Sequence, residues 1–169
     1  LYVGAQPIRF RDRRGLVVTV TRREDVISVS GSIGVWGPEA SSEQVDRIRA
    51  AIRQFWNPSG QGLRFGKCRI DIQFDVGLGG SGDNTFTVIP PGTVNPNTGT
   101  VGEESVQAHQ TGWIYSNSRS IAIAHEVGHF MNVPDGYSRD PTTGMTTAMP
   151  GFEGSMMGDL GTVGNRDIE

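Results

Sequence analysis

The residues best suited to chemistry in this chain are a His-Glu-Val-Gly-His stretch, residues 125–129, and an aspartate that follows it. His125 and His129 are four residues apart, so on a helix both imidazoles would lie on one face and could bind one ion. Glu126 is rotated by about 100° from His125 around the helix, which places its carboxylate beside such an ion. This spacing predicts a zinc ion whose bound water loses its proton to Glu126.

The third predicted ligand is Asp135, six residues after His129. A continuous helix cannot carry this carboxylate back to the same ion, so the chain must turn sharply. Asn132 tolerates the left-handed conformation in which helices often end, and Pro134 prevents the helix from continuing. The alternatives are that Asp135 is an ordinary turn residue and that Asp159 is the third ligand or a hydrogen-bond partner of a liganding histidine.

The stretch from His125 to Tyr137 resembles the extended zinc motif of the metzincins. It is most similar to the variety in which Asp replaces the third His, as in snapalysin-like bacterial metallopeptidases. Similar stretches occur in metallopeptidase domains of bacterial effectors and polymorphic toxins. The match departs at Asn132, where the family usually has Gly. The resemblance implies a zinc metalloendopeptidase with the three ligands and the glutamate base named above.

A second motif, Ser-Met-Met-Gly at residues 155–158, resembles the Met-turn, which places a methionine sulfur beneath the metal site. The Ser-x-Met pattern favours Met157, with Met156 as the alternative, although both could be ordinary core residues. Several metzincins follow this Met with a Tyr that approaches the zinc, but Gly158 stands here. Tyr137 could take that role and hydrogen-bond the developing oxyanion, or it could be an ordinary turn aromatic.

Hydrophobic periodicity predicts the elements that must position these residues. Alternation or β-branched runs predict strands at 16–21, 26–36, 68–76, 85–89 and 113–115. A helix is predicted at 38–57, with a capping box formed by Ser41 and Gln44. A second helix carries the zinc motif and begins near Ser118 or Asn117 as its cap. The long connection at 90–110 is predicted to be functional or flexible.

The expected fold class is α+β. The resemblance implies a metzincin-like fold, with a twisted mixed β-sheet packed on two helices and an active-site helix followed by a sharp turn and the Met-turn. It also implies an edge strand that receives the peptide substrate and a pocket walled by residues 158–166. The length of 169 residues predicts one metallopeptidase domain, 1–169, with a possible arm at 1–15, the active-site helix and turn at 118–135 and the Met-turn at 154–158.

Composition limits the partners. The net charge is −3 and no basic stripe is present, so we expect no nucleic acid. No apolar run reaches membrane-spanning length. We expect a monomer, and the resemblance implies that it acts on a protein or peptide. The resemblance implies secretion or translocation by bacteria, although no signal peptide is visible.

A structural calcium ion is a further hypothesis, with oxygen ligands from Asp71, Asp75, Asp83, Glu103 and Glu104, although their spacing matches no known calcium loop.

Three functions are compatible with these patterns. The first is a zinc-dependent endopeptidase. The second is the same catalytic domain acting as an effector or toxin on one target protein. The third is a non-catalytic, zinc-stabilised binding module, in which Glu126 would be dispensable. The only other histidine, His109, is expected to be a loop residue, with a role in the substrate cleft or in metal binding as the alternative.

Overall fold

The computed structural model of the chain describes residues 18–79, 83–108, 110–140, 142–143 and 145–159, with backbone alone for Phe65 and Asp159. The predicted arm at 1–15 and His109 lie outside this part. The described elements are, in chain order, β1 (Val18–Arg23), β2 (Val26–Trp36), α1 (Ser42–Phe55), β3 (Leu63–Phe65), β4 (Cys68–Leu78), β5 (Asn84–Ile89), β6 (Ser105–Gln107), β7 (Thr111–Tyr115), α2 (Ser120–Phe130), β8 (Tyr137–Arg139), β9 (Thr146–Ala148) and α3 (Met156–Asp159).

Seven of these strands form a mixed sheet in which β2 has the most neighbours. β4 runs parallel to β2 along one edge, and the other edge is shared by antiparallel β1 and parallel β5. β5 continues to parallel β7, which pairs with antiparallel β6. β3 is antiparallel to β4, and β8 pairs with β9 in a separate two-stranded sheet. The predicted combination of a mixed sheet and helices is confirmed.

Helix α1 forms because Val45, Ile48 and Ile52 recur at the helical period and are buried on one face. The Ser41 hydroxyl accepts the backbone N–H of Gln44 at 3.2 Å, as predicted. The second hydrogen bond of the predicted capping box, from the backbone N–H of Ser41 to the Gln44 side chain, is wrong, because the Gln44 side chain donates to the Ser116 carbonyl at 2.9 Å. The helix also starts later and ends earlier than the predicted 38–57.

One core joins the sheet to α1 and α2. Ile70, Ile72 and Val76 alternate along β4 and are buried against residues of both helices. Trp56, at the end of α1, is fully buried, and its indole N–H donates to the carbonyl of Ala124 in α2 at 2.7 Å. This contact fixes the helix that carries the zinc motif against the rest of the core.

The start of α2 differs from the prediction. Its N-cap is Arg119, without a side-chain cap, and neither Asn117 nor Ser118 takes that role. The Ser118 hydroxyl instead accepts the N–H of Tyr115 at 2.8 Å and donates to Glu104 at 2.5 Å.

Four three-residue strands, β3, β6, β8 and β9, were not predicted, and β6 lies inside the connection at 90–110. None of the helices in the described ranges combines the length and the apolar character needed to cross a membrane.

Candidate metal centre

Helix α2 carries both histidines, with His125 buried and His129 partly buried. Eight of its residues are buried, including His125, Glu126 and Phe130. The rings of His125 and His129 lie with their centroids 4.9 Å apart and their planes nearly perpendicular. The predicted helical placement of both imidazoles on one face is confirmed.

The turn that follows α2 is a Schellman motif. Asn132 has φ 65°, the left-handed conformation that the sequence predicted for it. Its N–H donates to the His129 carbonyl at 3.0 Å, and the N–H of Val133 donates to the Gly128 carbonyl at 3.1 Å. Asn132 thus adopts the left-handed conformation that most often falls to Gly at a helix end, and the turn brings Asp135 back towards the helix.

The structure brings the three predicted ligands together. Oδ1 of Asp135 lies 3.2 Å from Nε2 of His125 and 3.3 Å from Nε2 of His129. Ligand atoms held about 2.0–2.1 Å from a tetrahedral zinc ion stand about 3.3–3.4 Å apart along each edge of the tetrahedron. The two distances from Asp135 to the imidazole nitrogens therefore match two edges of such a tetrahedron.

Backbone carbonyls hold both imidazoles in the orientation that metal binding requires. Nδ1 of His125 donates to the Met156 carbonyl at 3.0 Å, and Nδ1 of His129 donates to the Val133 carbonyl at 2.9 Å. A carbonyl can only accept, so the proton of each neutral ring is on Nδ1. Nε2 of each neutral ring then carries a lone pair that can bind an ion, which is the usual arrangement of metal-binding histidines.

The segment that resembles a Met-turn packs directly beneath α2. A Cβ placed on Gly128 would lie 2.7 Å from Sδ of Met157, so the helix accommodates the sulfur only because residue 128 is glycine. The carbonyl of Met157 also accepts the N–H of Gly136 at 2.8 Å, next to Asp135. Met156 is equally buried but contributes its carbonyl to His125. This segment therefore touches both the helix and the turn that carry the predicted ligands.

Glu126 is buried beside the histidines. A carboxylate oxygen of Glu126 lies within 4.8 Å of ligand nitrogens on His125 and His129, and its Oε2 has no hydrogen-bond partner among the described residues. Two carboxylates thus compete for the third ligand position. Asp135 is better placed, because it contacts both imidazoles directly, whereas Glu126 stands farther from them. Burial raises the pKa of Glu126 to about 7, and the two histidines oppose that rise.

The remaining charges of the cluster are strongly coupled. Burial alone would raise the pKa of Asp135, but His125 and His129, whose Nε2 atoms donate to it when the rings are protonated, hold its pKa well below its ordinary value. Burial alone would lower the pKa of His125, but Asp135, Glu126 and the Met156 carbonyl raise it. The protein thus concentrates negative charge where two imidazole nitrogens meet, and a divalent cation would balance that charge.

Tyr137 lies in β8, next to the cluster, and not in the turn. Its ring stacks on that of His125, with centroids 6.1 Å apart. Burial and the nearby carboxylates of Asp135 and Glu126 raise the pKa of Tyr137 to about 12. The phenol therefore stays protonated near neutral pH and can donate a hydrogen bond into the site.

A cleft of about 530 Å³ opens beside His125 and Glu126. One wall is the segment 100–104, which is fixed because the Tyr115 hydroxyl accepts the N–H of Gly102 at 2.9 Å and donates to the Thr93 carbonyl at 3.0 Å. Other lining residues come from α2, β8, β9 and α3. The long connection predicted to be functional or flexible is thus an ordered wall of the cleft.

Four charged residues of this cleft were not predicted as catalytic or zinc-binding residues, namely Glu103, Glu104, Arg119 and Arg139. Glu103 entered only as a calcium ligand, and it instead pairs with Arg139 at 2.5 Å. The calcium hypothesis gains no support, because the described residues contain one cluster of potential metal ligands, around His125. Arg119 could have been found from its helical spacing of seven residues from Glu126.

No family model and no curated protein matches the chain. The side chain of Asp159, the alternative third ligand, lies outside the described residues. The case for a function therefore depends on the residues of the cluster and their geometry.

Proposed function

We propose that the chain is a zinc-dependent endopeptidase. The observation that carries this proposal is the convergence of Nε2 of His125 and Nε2 of His129 on Oδ1 of Asp135, at 3.2 and 3.3 Å, with both imidazoles oriented by backbone carbonyls. Two imidazoles and one carboxylate are the donor set of catalytic zinc sites, which keep a fourth position for water or substrate. The buried carboxylate of Glu126 supplies the base that such a site needs.

In the proposed reaction, His125, His129 and Asp135 hold the ion, which when bound acidifies water and polarises the carbonyl of the peptide bond. Glu126 accepts the proton of that water and later delivers it to the departing amine. Tyr137, protonated and beside His125, donates a hydrogen bond to the oxygen of the carbonyl as negative charge develops on it. The Met156 and Val133 carbonyls keep the two imidazoles in place throughout.

The arrangement around the cluster also suits an extended peptide. β6 is the terminal strand of the sheet order on the α2 side, and it follows the cleft wall at 100–104 directly in sequence. An extended substrate could add to this strand through backbone hydrogen bonds, as the resemblance implies. The peptide bond would then lie in the cleft that His125 and Glu126 line.

The test is cleavage of a proteome-derived peptide mixture and of intact proteins by the zinc-loaded chain, with and without a chelator. The Glu126→Gln variant should bind one zinc ion per chain and lose about 10²- to 10⁴-fold or more of the rate, because it keeps the shape of the residue but not the base. Glu43→Gln, which alters an exposed glutamate at the start of α1, is the matched control and should leave the rate unchanged.

Two results would contradict the proposal. If Glu126→Gln cleaves as fast as the parent, the mechanism is wrong. If the parent binds zinc tightly but cleaves nothing in either mixture, a non-catalytic zinc-stabilised module is the better account. The number of cleaved proteins separates a broad digestive enzyme from an effector that acts on one target.

A further inference from the structure

The cleft beside the candidate metal centre continues along α2 towards the start of the helix. Arg119, Ala122 and Glu126 follow one another at spacings of three and four residues, so they lie along one face of α2. The rise of a helix places Arg119 about 10 Å from Glu126 along the axis. Ala122 stands between them, and its single methyl group leaves room for a substrate side chain.

Arg119 differs from the other arginine of the cleft, Arg139, in having no side-chain partner in the described part of the chain. Arg139 pairs with Glu103 at 2.5 Å, and Glu104 accepts a hydrogen bond from Ser118 at 2.5 Å. The guanidinium of Arg119 is exposed and forms no ion pair or side-chain hydrogen bond with any residue in the described ranges. Its five N–H donors are therefore available to a ligand that enters the cleft.

An unpaired guanidinium is suited to binding a carboxylate. Its planar donors match the two oxygens of a carboxylate and form charge-assisted hydrogen bonds with it. The separation of about 10 Å along α2 corresponds to about three residues of an extended peptide, so such a carboxylate would lie about three substrate residues from the bond that Glu126 would attack. A peptide can supply it from an Asp or Glu side chain or from its own C-terminus.

We propose that Arg119 is a specificity-determining residue that binds a substrate carboxylate near the cleaved bond. This inference rests on the proposed endopeptidase function and adds a substrate class to it, namely acidic peptide sequences or sites close to a C-terminus. Arg119 has no part in holding the ion or in moving the proton.

The experiment compares the cleavage-site profiles of the zinc-loaded parent, Arg119→Gln, Arg119→Glu and Arg119→Lys in one proteome-derived peptide mixture. The parent should enrich Asp and Glu, or the C-terminal carboxylate, at one position near the cut. Arg119→Gln should lose that enrichment, Arg119→Glu should favour Lys or Arg there, and Arg119→Lys should restore part of it. Arg53→Glu, an exposed arginine of α1 outside the cleft, is the matched control and should leave the profile unchanged.

Matched synthetic peptides then identify the source of the carboxylate. Each pair differs in Glu against Gln at the selected position, or in a free against an amidated C-terminus. The parent should prefer one carboxylate form by about tenfold or more in kcat/KM, and Arg119→Gln should abolish the preference. Zinc content and melting temperature should stay unchanged, because Arg119 makes no side-chain cap to α2.

The two possible failures are distinguishable. If cleavage by the parent depends on zinc and Glu126 but all four proteins show the same preference at the position near the cut, this inference is wrong and the proposed function stands. If no zinc-dependent cleavage occurs, the proposed function fails and the substrate assignment fails with it.

Discussion

Gly128 is the residue at which the packing beneath the candidate metal centre can be tested most sharply. A methyl group added there would lie 2.7 Å from Sδ of Met157 and 3.1 Å from Cζ2 of Trp56. All three residues belong to the fully buried interior, so neither neighbour can move into solvent. Gly128→Ala should therefore overpack this part of the core.

The size of the effect follows from two opposing contributions. Overpacking a core typically costs about 1–3 kcal/mol, whereas replacing Gly by Ala inside a helix stabilises it by about 1 kcal/mol. Gly128→Ala should thus lower the free energy of unfolding by about 0–2 kcal/mol. In a Met157→Ala background the main clash is absent, and the same substitution should become stabilising. The measurement is urea unfolding of the four metal-free proteins of this double-mutant cycle.

Gly77→Ala is the matched control, because a methyl group at Gly77 would meet nothing within 4 Å. Its effect should be the same with Met157 and with Ala at position 157. If Gly128→Ala instead stabilises the protein equally in both backgrounds, the Met157 sulfur does not lie against α2. The packing of residues 155–158 against α2 described above would then be wrong.

Three further substitutions test the turn, the core and the ligand set. Asn132→Ala should lower the free energy of unfolding by about 1 kcal/mol, because Ala is disfavoured in the left-handed conformation of this residue. Asn132→Gly should not destabilise the protein, and urea unfolding measures both effects. Trp56→Phe should cost about 1–3 kcal/mol in the same assay, because the core loses part of a fully buried indole and its hydrogen bond to the Ala124 carbonyl; an unchanged midpoint would contradict that contact. Asp135→Ala should weaken zinc binding by more than the 10- to 100-fold that is typical when a residue hydrogen-bonded to a metal ligand is lost. The affinity is measured by competition with a chromophoric chelator, and Asp140→Ala, at an exposed aspartate, should leave it unchanged.

The sequence predicts well those features that depend on local geometry. The pairing of His125 with His129 follows from the helical period, and the break after α2 follows from the backbone preferences of Asn132 and Pro134. Strand β2 is predicted with its observed bounds, because its pattern is long and continuous. These features need information from only a few neighbouring residues.

The features that depend on distant contacts could not be predicted. Gln44 leaves its expected place in the capping box because the Ser116 carbonyl, 72 residues away, accepts its side chain. The pair formed by Glu103 and Arg139 joins residues 36 apart, and nothing local indicates it. Strands as short as β6 carry too few residues to show alternation, so only their pairing partners define them.

The most direct test of the central claim is a crystal structure of the zinc-soaked protein with anomalous diffraction measured on both sides of the zinc absorption edge. We expect one zinc peak within about 2.0–2.2 Å of Nε2 of His125, Nε2 of His129 and a carboxylate oxygen of Asp135, with solvent as the fourth neighbour. A peak that leaves Asp135 uncoordinated, or no peak at this cluster, would contradict the claim.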